Sequence, residues 1–410
     1  MTSRRPRRGT ATGQLARRPG GARLATALAG VVLLVLAGCG GNGGSGDSDE
    51  PDVTAVIHEP ADGSTDVSTA TEIVFSTDNQ VEVTVELAEL DGSTIDGELS
   101  EDGTRWLPSS QLEYETTYVA TLTAVSPSGD NAITTSTFTT MAEPSQTVRV
   151  FSFIGSDSVI GVGMPLRVEF RDDNDALHEI PEEHRAEVER RMKVSTDPPQ
   201  EGSWHWISGA EVHYRPAEYW EPGTQINYRL ATGGLPIGDG WYLRNDLNVN
   251  TSVGREILME VDGDTRQMTV TVDGEIARTI PVSLGRSDYP SSSGTFVIME
   301  KYTETVFDTR EELGDEGYVV DIEYAMRLTY GGEFIHATVR SGEELGAENV
   351  THGCINMSRD NAEWLFDLTN DWGDPVIVTG TSREVELGNG WTDWNLSWEE
   401  YRQGSALYDG

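Results

Sequence analysis

Two side chains in this sequence are matched for nucleophilic catalysis. One is Cys354, in Thr351-His352-Gly353-Cys354-Ile355-Asn356; the other is His336, in Phe334-Ile335-His336-Ala337. The chain has two cysteines, and Cys39 has a separate explanation. An unpaired thiol kept in an exported protein is exposed to oxidation, so a use for it is expected. A free thiol titrates at about 8.5 and is mostly protonated at neutral pH, so it needs a base or a nearby positive group before it can attack a carbonyl. His336 is the candidate base, and His352 the candidate neighbour in the oxyanion region. Gly353 suits a backbone that approaches a ligand closely. The same residue types also fit plainer roles: a half-buried strand histidine, a loop-ordering histidine and an inert buried thiol. The pair alone therefore defines a candidate for thiol acyl transfer and no more.

The elements that must hold these groups are legible around them. Arg327-Leu328-Thr329-Tyr330 and Glu333-Phe334-Ile335-His336-Ala337 flank Gly331-Gly332, which predicts a two-residue hairpin. On its second strand Phe334, His336 and Thr338 share one face. Ser358 is placed to cap a helix over 359–368, so Cys354 is expected in a loop just before a helix, where backbone N–H groups favour a thiolate and later an oxyanion. Further upstream, 256–261, 267–272 and 277–283 are joined by Asp262-Gly263-Asp264 and Asp273-Gly274-Glu275, which predicts a curled antiparallel meander.

Residues 53–143 predict one immunoglobulin-like sandwich: short β-branched runs at 72–77, 81–87, 117–125 and 132–138, with Asp-Gly turns at 91–92 and 102–103. A second unit of similar size, 147–251, echoes the first. Trp106-Leu107-Pro108 followed by Tyr118 has a counterpart in Trp206-Ile207, Tyr214-Arg215-Pro216 and Tyr228. A short helix is predicted over 181–192, with Pro181 at its start. Asp172-Asp173-Asn174-Asp175 lacks the glycine that a calcium loop needs at its sixth position, Leu177, and reads as a solvated acidic loop.

The N-terminus reads as an export signal. Residues 1–23 hold seven arginines and no acid, residues 24–37 are apolar, and Leu36-Ala37-Gly38-Cys39 resembles the lipobox of bacterial lipoproteins. The apolar stretch is short for a spanning helix of about 20 residues. Residues 1–38 are read as the signal and Cys39 as the lipidated first residue; whether export runs by the general or the twin-arginine route stays open. Residues 39–52, rich in Gly, Ser and Asp, read as a flexible tether. Removing residues 1–38 leaves 22 basic against 69 acidic residues, a net charge of −47, which excludes nucleic acid as a partner.

His336, fourteen intervening residues and Thr351-His352-Gly353-Cys354-Ile355-Asn356 together resemble the signature of L,D-transpeptidases with a YkuD-type catalytic domain. The order of lipoprotein signal, two Ig-like domains, catalytic domain over 254–380 and C-terminal subdomain over 381–410 is similar to the actinobacterial form of that family. The tail run Asp393-Trp394-Asn395-Leu396-Ser397-Trp398 adds to the likeness. The resemblance implies a mainly β protein that cross-links peptidoglycan stem peptides by a 3→3 bond. It makes Cys354 the nucleophile and His336 the base, oriented by the backbone carbonyl of Ala337. His352, Gly353, Thr351 and Asn356 shape the site, and the N–H of Cys354 serves the oxyanion. Tyr318 matches a tyrosine on an active-site lid of roughly 300–330. Arg340 stands where close relatives carry an aromatic residue at the mouth. The resemblance further implies covalent inhibition by carbapenems, action without metal or cofactor, and a lipid-anchored position on the outer face of the cell membrane. Trp391, Trp394 and Trp398 fit either sugar stacking or a latch of the tail onto the body.

Overall fold

The computed structural model describes residues 53–78, 81–100, 102–308, 310, 317 and 319–409. Strands dominate, and their residues show why. In Thr117–Val125, Tyr118, Ala120, Leu122 and Ala124 are fully buried while their neighbours are half-exposed, the period-two pattern of a strand with one face on a core. One four-stranded sheet runs in the order Ala55–Glu59, Ile73–Thr77, Arg105–Pro108, Gly97–Leu99. The facing sheet runs Thr94–Ile95, Glu82–Glu89, Thr117–Val125, Asn131–Thr139. Ile73, Phe75, Leu87, Trp106, Tyr118 and Phe138 fill the space between.

The second sandwich repeats this plan. Thr147–Ser152, Leu166–Arg171, Glu211–Pro216 and Gly202–Ser208 lie side by side in the same order as the first sheet of its neighbour. Met192–Asp197, Gln225–Leu230 and Leu247–Val253 repeat the facing sheet, with Tyr228 buried at its centre as Tyr118 is in the first. The internal echo is thus topological, but its tryptophans do not correspond. Trp106-Leu107-Pro108 shares its place with Tyr214-Arg215-Pro216, and Trp206 lies one strand away on Gly202–Ser208. The predicted helix spans Glu182–Arg190, with Pro181 in the capping position. The acidic loop is a turn closed on Asp172, whose carboxylate accepts the N–H groups of Asn174 and Ala176 at 2.8 and 2.9 Å.

In the remainder, the three strands Ile257–Asp262, Gln267–Val272 and Glu275–Pro281 are antiparallel neighbours as predicted. The sheet is nevertheless not a pure antiparallel meander. Pro375–Thr379 returns from the far end of the region and pairs parallel with Ile257–Asp262, Met259 opposite Val376, before Ser292–Val297 continues the sheet. That pairing depends on a long-range register that no local pattern encodes. A second sheet follows, in the order Glu300–Asp308, Val319–Arg327, Phe334–Ala337, Ile355–Met357. Ile335, Ala337, Ile355 and Met357 face the core that the two sheets share with the helix Arg359–Leu368. Ser358 caps that helix by accepting the Asn361 N–H.

The Gly331-Gly332 connection is longer than a two-residue hairpin. The strand before it ends at Arg327 and the next begins at Phe334. The turn spans 329–332, closed by the Gly332 N–H on the Thr329 carbonyl and by the Glu333 N–H on the Thr329 hydroxyl at 2.9 Å. The tail docks on the second sandwich. Trp391 is 2% exposed in the core of that sandwich, Trp394 donates its ring N–H to the Gly163 carbonyl at 2.7 Å, and Trp398 stacks on Tyr401. These contacts make the tail a latch.

Candidate active site

The site is built on two short parallel strands. Ile335 lies opposite Ile355, His336 opposite Asn356 and Ala337 opposite Met357. With Ile335, Ala337, Ile355 and Met357 turned into the core, alternation sends Phe334, His336 and Asn356 to the other face. Cys354, one residue ahead of its strand, continues that line and packs with Phe334 and Ile322. Parallel pairing needs a long connection, and residues 338–354 supply it. Two residues distant in sequence are thereby set on one face.

His336 is 5% exposed and Cys354 6%. The ring Nδ1 of His336 lies 2.8 Å from the Ala337 carbonyl. A carbonyl only accepts, so Nδ1 carries the proton and Nε2 is the basic nitrogen. Burial depresses the pKa of His336 to about 4 against the opposing pull of the Ala337 carbonyl, so the ring is neutral at physiological pH. The thiol of Cys354 donates a long bond to the Gly332 carbonyl at 3.7 Å.

The loop before Cys354 is tied down by hydroxyls. Thr351 Oγ1 donates to the Cys354 carbonyl at 2.6 Å and accepts the Gly353 N–H at 3.2 Å. Ser291 Oγ donates to the Gly353 carbonyl at 2.6 Å. Gly353 has φ +123°, a conformation that side-chain-bearing residues rarely adopt, whereas the nearest atom to an added Cβ would be 3.6 Å away. Glycine is needed there for backbone conformation, and no atom of a described residue would crowd an added Cβ. The His352 ring lies 5.1 Å from that of Tyr289.

His336, Cys354, Thr351, His352 and Asn356 line one cavity of about 270 Å3, closed by Phe307, Val320, Ile322, Val339 and Val350, with Arg340 also on its wall. Asn356 is 6% exposed, and its side-chain oxygen has no hydrogen-bond partner among the described residues. The hairpin Glu300–Asp308 and Val319–Arg327 contributes Phe307, Val320 and Ile322 to the wall. Tyr318, expected on that lid, lies outside the described residues, as does Cys39.

One expectation is corrected. Cys354 does not stand at a helix N-terminus. The strand Ile355–Met357, about 10 Å of extended chain, separates it from the helix, and Ser358 serves the helix start. Sequence reasoning also missed a buried support under the loop. Glu333, 7% exposed, accepts the N–H and hydroxyl of Ser292 at 3.0 and 2.7 Å and pairs with Arg383. The Ser291-Ser292-Ser293 run was the available signal, because clustered hydroxyls in a strand imply buried partners. Among the described residues, no group of His, Cys, Asp and Glu is arranged to hold a metal ion.

Comparison with known proteins agrees with this architecture. The family model described as L,D-transpeptidase catalytic domain matches residues 256–378, and one described as bacterial Ig domain matches 64–236, across both sandwiches. The chain is 30% identical over 361 residues to L,D-transpeptidase 2 of Mycobacterium tuberculosis, covering 87% of this chain and 85% of that protein. It is 31% identical over 367 residues to L,D-transpeptidase 5 of the same species, covering 87% and 78%. Among solved structures, an L,D-transpeptidase in complex with imipenem matches 58% of this chain and all of its own, at 29% identity and a TM-score of 0.47. The catalytic-domain match, together with relatives at 30 and 31% identity that each align with 87% of this chain, shows that the chain belongs to the L,D-transpeptidase family.

Proposed function

We propose that the protein is a peptidoglycan L,D-transpeptidase that forms 3→3 cross-links through a thioester on Cys354. The observation that carries this reading is the pairing of Phe334–Ala337 with Ile355–Met357, which sets a buried neutral imidazole and a buried thiol on the wall of one cavity. His336 Nε2 takes the thiol proton as sulfur attacks the carbonyl of the third stem residue. The carbon–nitrogen bond to D-alanine breaks, and the imidazolium returns the proton to the departing amine. The side-chain amine of a second stem then attacks the thioester, His336 accepts its proton, and the thiol is restored. A thioester keeps the free energy of the cleaved peptide bond, so the cross-link needs no nucleotide.

The Ala337 carbonyl keeps the histidine in the productive tautomer. The Cys354 N–H is the oxyanion donor in this reading, held in place by Thr351 and Ser291 on the loop backbone. The unpartnered Asn356 oxygen accepts an amide N–H of the donor stem. Tyr318, which matches a lid tyrosine of the family and lies outside the described residues, is a substrate contact in this reading. Carbapenems acylate Cys354 in the same way as a donor. Cys39 carries a lipid anchor that holds the protein on the outer face of the membrane, a reading that rests on the N-terminal sequence.

The test is mass spectrometry of products from purified stem tetrapeptides. Wild type is expected to release one D-alanine per dimer. Cys354→Ser is expected to be inactive, and His336→Ala to lose about 10²–10⁴-fold. A base depressed to about 4 stays unprotonated through mildly acidic pH, so acylation should lose its histidine only well below the usual limit near 6.5. A carbapenem should add one drug mass to wild type and none to Cys354→Ala. Tripeptide as the main product despite abundant amine would make the enzyme a carboxypeptidase, and full activity in Cys354→Ser would overturn the mechanism.

A further inference from the structure

The cavity wall differs in charge from the rest of the molecule. The chain after residue 38 carries −47, yet none of the described residues that line the cavity is a carboxylate. Its described lining residues are apolar, neutral polar or imidazole, with one permanent charge, that of Arg340. Neighbouring arginines of the same region are neutralised: Arg327 by Glu300 at 2.8 Å, Arg359 by Glu323 at 3.0 Å, and Arg383 by Glu333. The guanidinium of Arg340 makes no ion pair with any described residue and is exposed.

Its backbone is fixed. The Arg340 N–H donates to Thr338 Oγ1 at 3.2 Å, and Thr338 bonds both to the Glu344 carboxylate at 2.8 Å and, through its own N–H, to the Met357 carbonyl at 2.7 Å. Glu344 is the carboxylate of this network, and it is spent on the threonine hydroxyl. Arg340 is thus held just past the strand that carries His336, at the edge of the reactive cavity, with its donors available to a ligand.

We propose that Arg340 is a specificity residue that binds a carboxylate of the donor stem, so that the enzyme discriminates a stem with that carboxylate free from one in which it is a carboxamide. This rests on the stem-peptide reading above. A guanidinium fork matches the two oxygens of a carboxylate; a carboxamide offers one acceptor and turns N–H groups toward donors. The local cation also offsets the repulsion that a strongly acidic protein exerts on an anionic peptide. The stem carries carboxylates on both sides of the reacting carbonyl: that of the terminal D-alanine, and those of the residues before it.

Binding of synthetic tetrapeptides to the Cys354→Ala protein, by titration calorimetry, tests the idea without turnover. Peptides are compared as the free acid, with the terminal alanine amidated, and with the earlier carboxylates amidated. One of the two amidations should weaken binding by about two- to fivefold, the range of an exposed ion pair. Which one does so identifies the carboxylate held. Arg340→Gln in the same background should bring that ratio to about one, Arg340→Lys should restore part of it, and salt should shrink it in the parent. In the enzyme with Cys354 intact, the loss should appear in KM with kcat held. A ratio that survives Arg340→Gln, or no ratio in the parent, overturns the proposal. Failure of cross-linking with the ratio intact would instead sink the transpeptidase reading and leave Arg340 its ligand.

Discussion

Two joints link the three described regions, and they are built from different interactions. Between the sandwiches the contacts are mostly polar: Ser68 donates to the Gly234 carbonyl at 2.7 Å, the Gln111 N–H to Asp246 at 3.0 Å, and Lys193 pairs with Glu98 at 2.9 Å. Glu72, 6% exposed, is shared by Arg191 at 2.9 Å, Arg190 at 3.4 Å and Arg105 at 3.3 Å. Among the described residues, Ala70 is the one from the first sandwich that enters the core of the second.

Between the second sandwich and the catalytic region the core is continuous, with Val297, Met299 and Trp391 packed among residues of the sandwich. Backbone bonds cross this joint, Gly161 N–H to the Trp372 carbonyl at 2.7 Å and Gly163 N–H to the Gly373 carbonyl at 2.9 Å. A Cβ on Gly161 would sit 2.4 Å from the Asp374 backbone, so only glycine permits the approach. A buried charge network adds to it: His213 bonds Asp393 at 2.8 Å and Glu211 at 2.7 Å, Arg167 pairs with Glu211 at 2.6 Å, and Tyr330 of the site's own turn reaches Arg167 at 3.4 Å. The first joint resembles an interface between separable domains, while the second is the interior of one folding unit. The second sandwich is therefore more than a spacer ahead of the catalytic region.

The largest expected effect follows from cutting the second joint. A fragment of residues 252–410 would expose the Val297, Met299 and Trp391 surface, and we expect it to lose cooperative unfolding in calorimetry and thiol acylation with it. A fragment that melts like the whole protein would break the distinction between the joints. Next in size is Trp391→Ala, expected to cost about 3–5 kcal/mol by leaving a large cavity in the shared core. Chemical denaturation measures this, and a loss below about 1 kcal/mol would make the tail a passenger.

Asp393→Asn should cost about 3 kcal/mol, because it leaves His213 and Arg215 beside a neutral amide in a buried site. Its pH dependence sharpens the point. Burial opposes charge on His213, but Asp393 and Glu211 outweigh it and raise its pKa to about 9. A raised base is stabilising, fully so below the unfolded value of about 6.5, and its contribution is lost as pH rises through about 9. Wild type should therefore lose melting temperature between pH 7 and 10, and Asp393→Asn should lose less. Equal slopes would remove the network from the joint. The smallest effect belongs to the first joint. Arg190 is one-third exposed and Glu72 keeps two other arginines, so Arg190→Ala should cost no more than about 1 kcal/mol and leave cross-linking untouched.

Much of this was written locally. Alternation in 117–125, the Asp-Gly turns, Ser358 as a cap and the Thr351–Asn356 motif are short-range patterns, and each can be read within a few residues. They yielded a mainly β chain with two sandwich regions ahead of a Cys–His site. The tryptophan echo misaligned because aromatic residues mark burial, which several strands of one sandwich share. The strand between the loop of Cys354 and the helix goes unseen in the sequence because three residues are too short to leave a period.

The sequence by itself determined which groups can do chemistry: the thiol of Cys354, two histidines near it, a glycine with freedom at 353, and an excess of acid along the chain after residue 38. The tertiary structure decided what state they are in. His336 is neutral because sheet and lid bury it; its tautomer is set by a carbonyl one residue on, and its closeness to Cys354 by a parallel register spanning residues 338–354. Glu333 and Arg383 meet beneath the loop, and Asp393 reaches His213, only after the tail has folded back. Residue type and local period survive in an isolated segment. Burial, register and charge pairing are properties of the assembled chain, because each depends on which distant surface displaces water from the group.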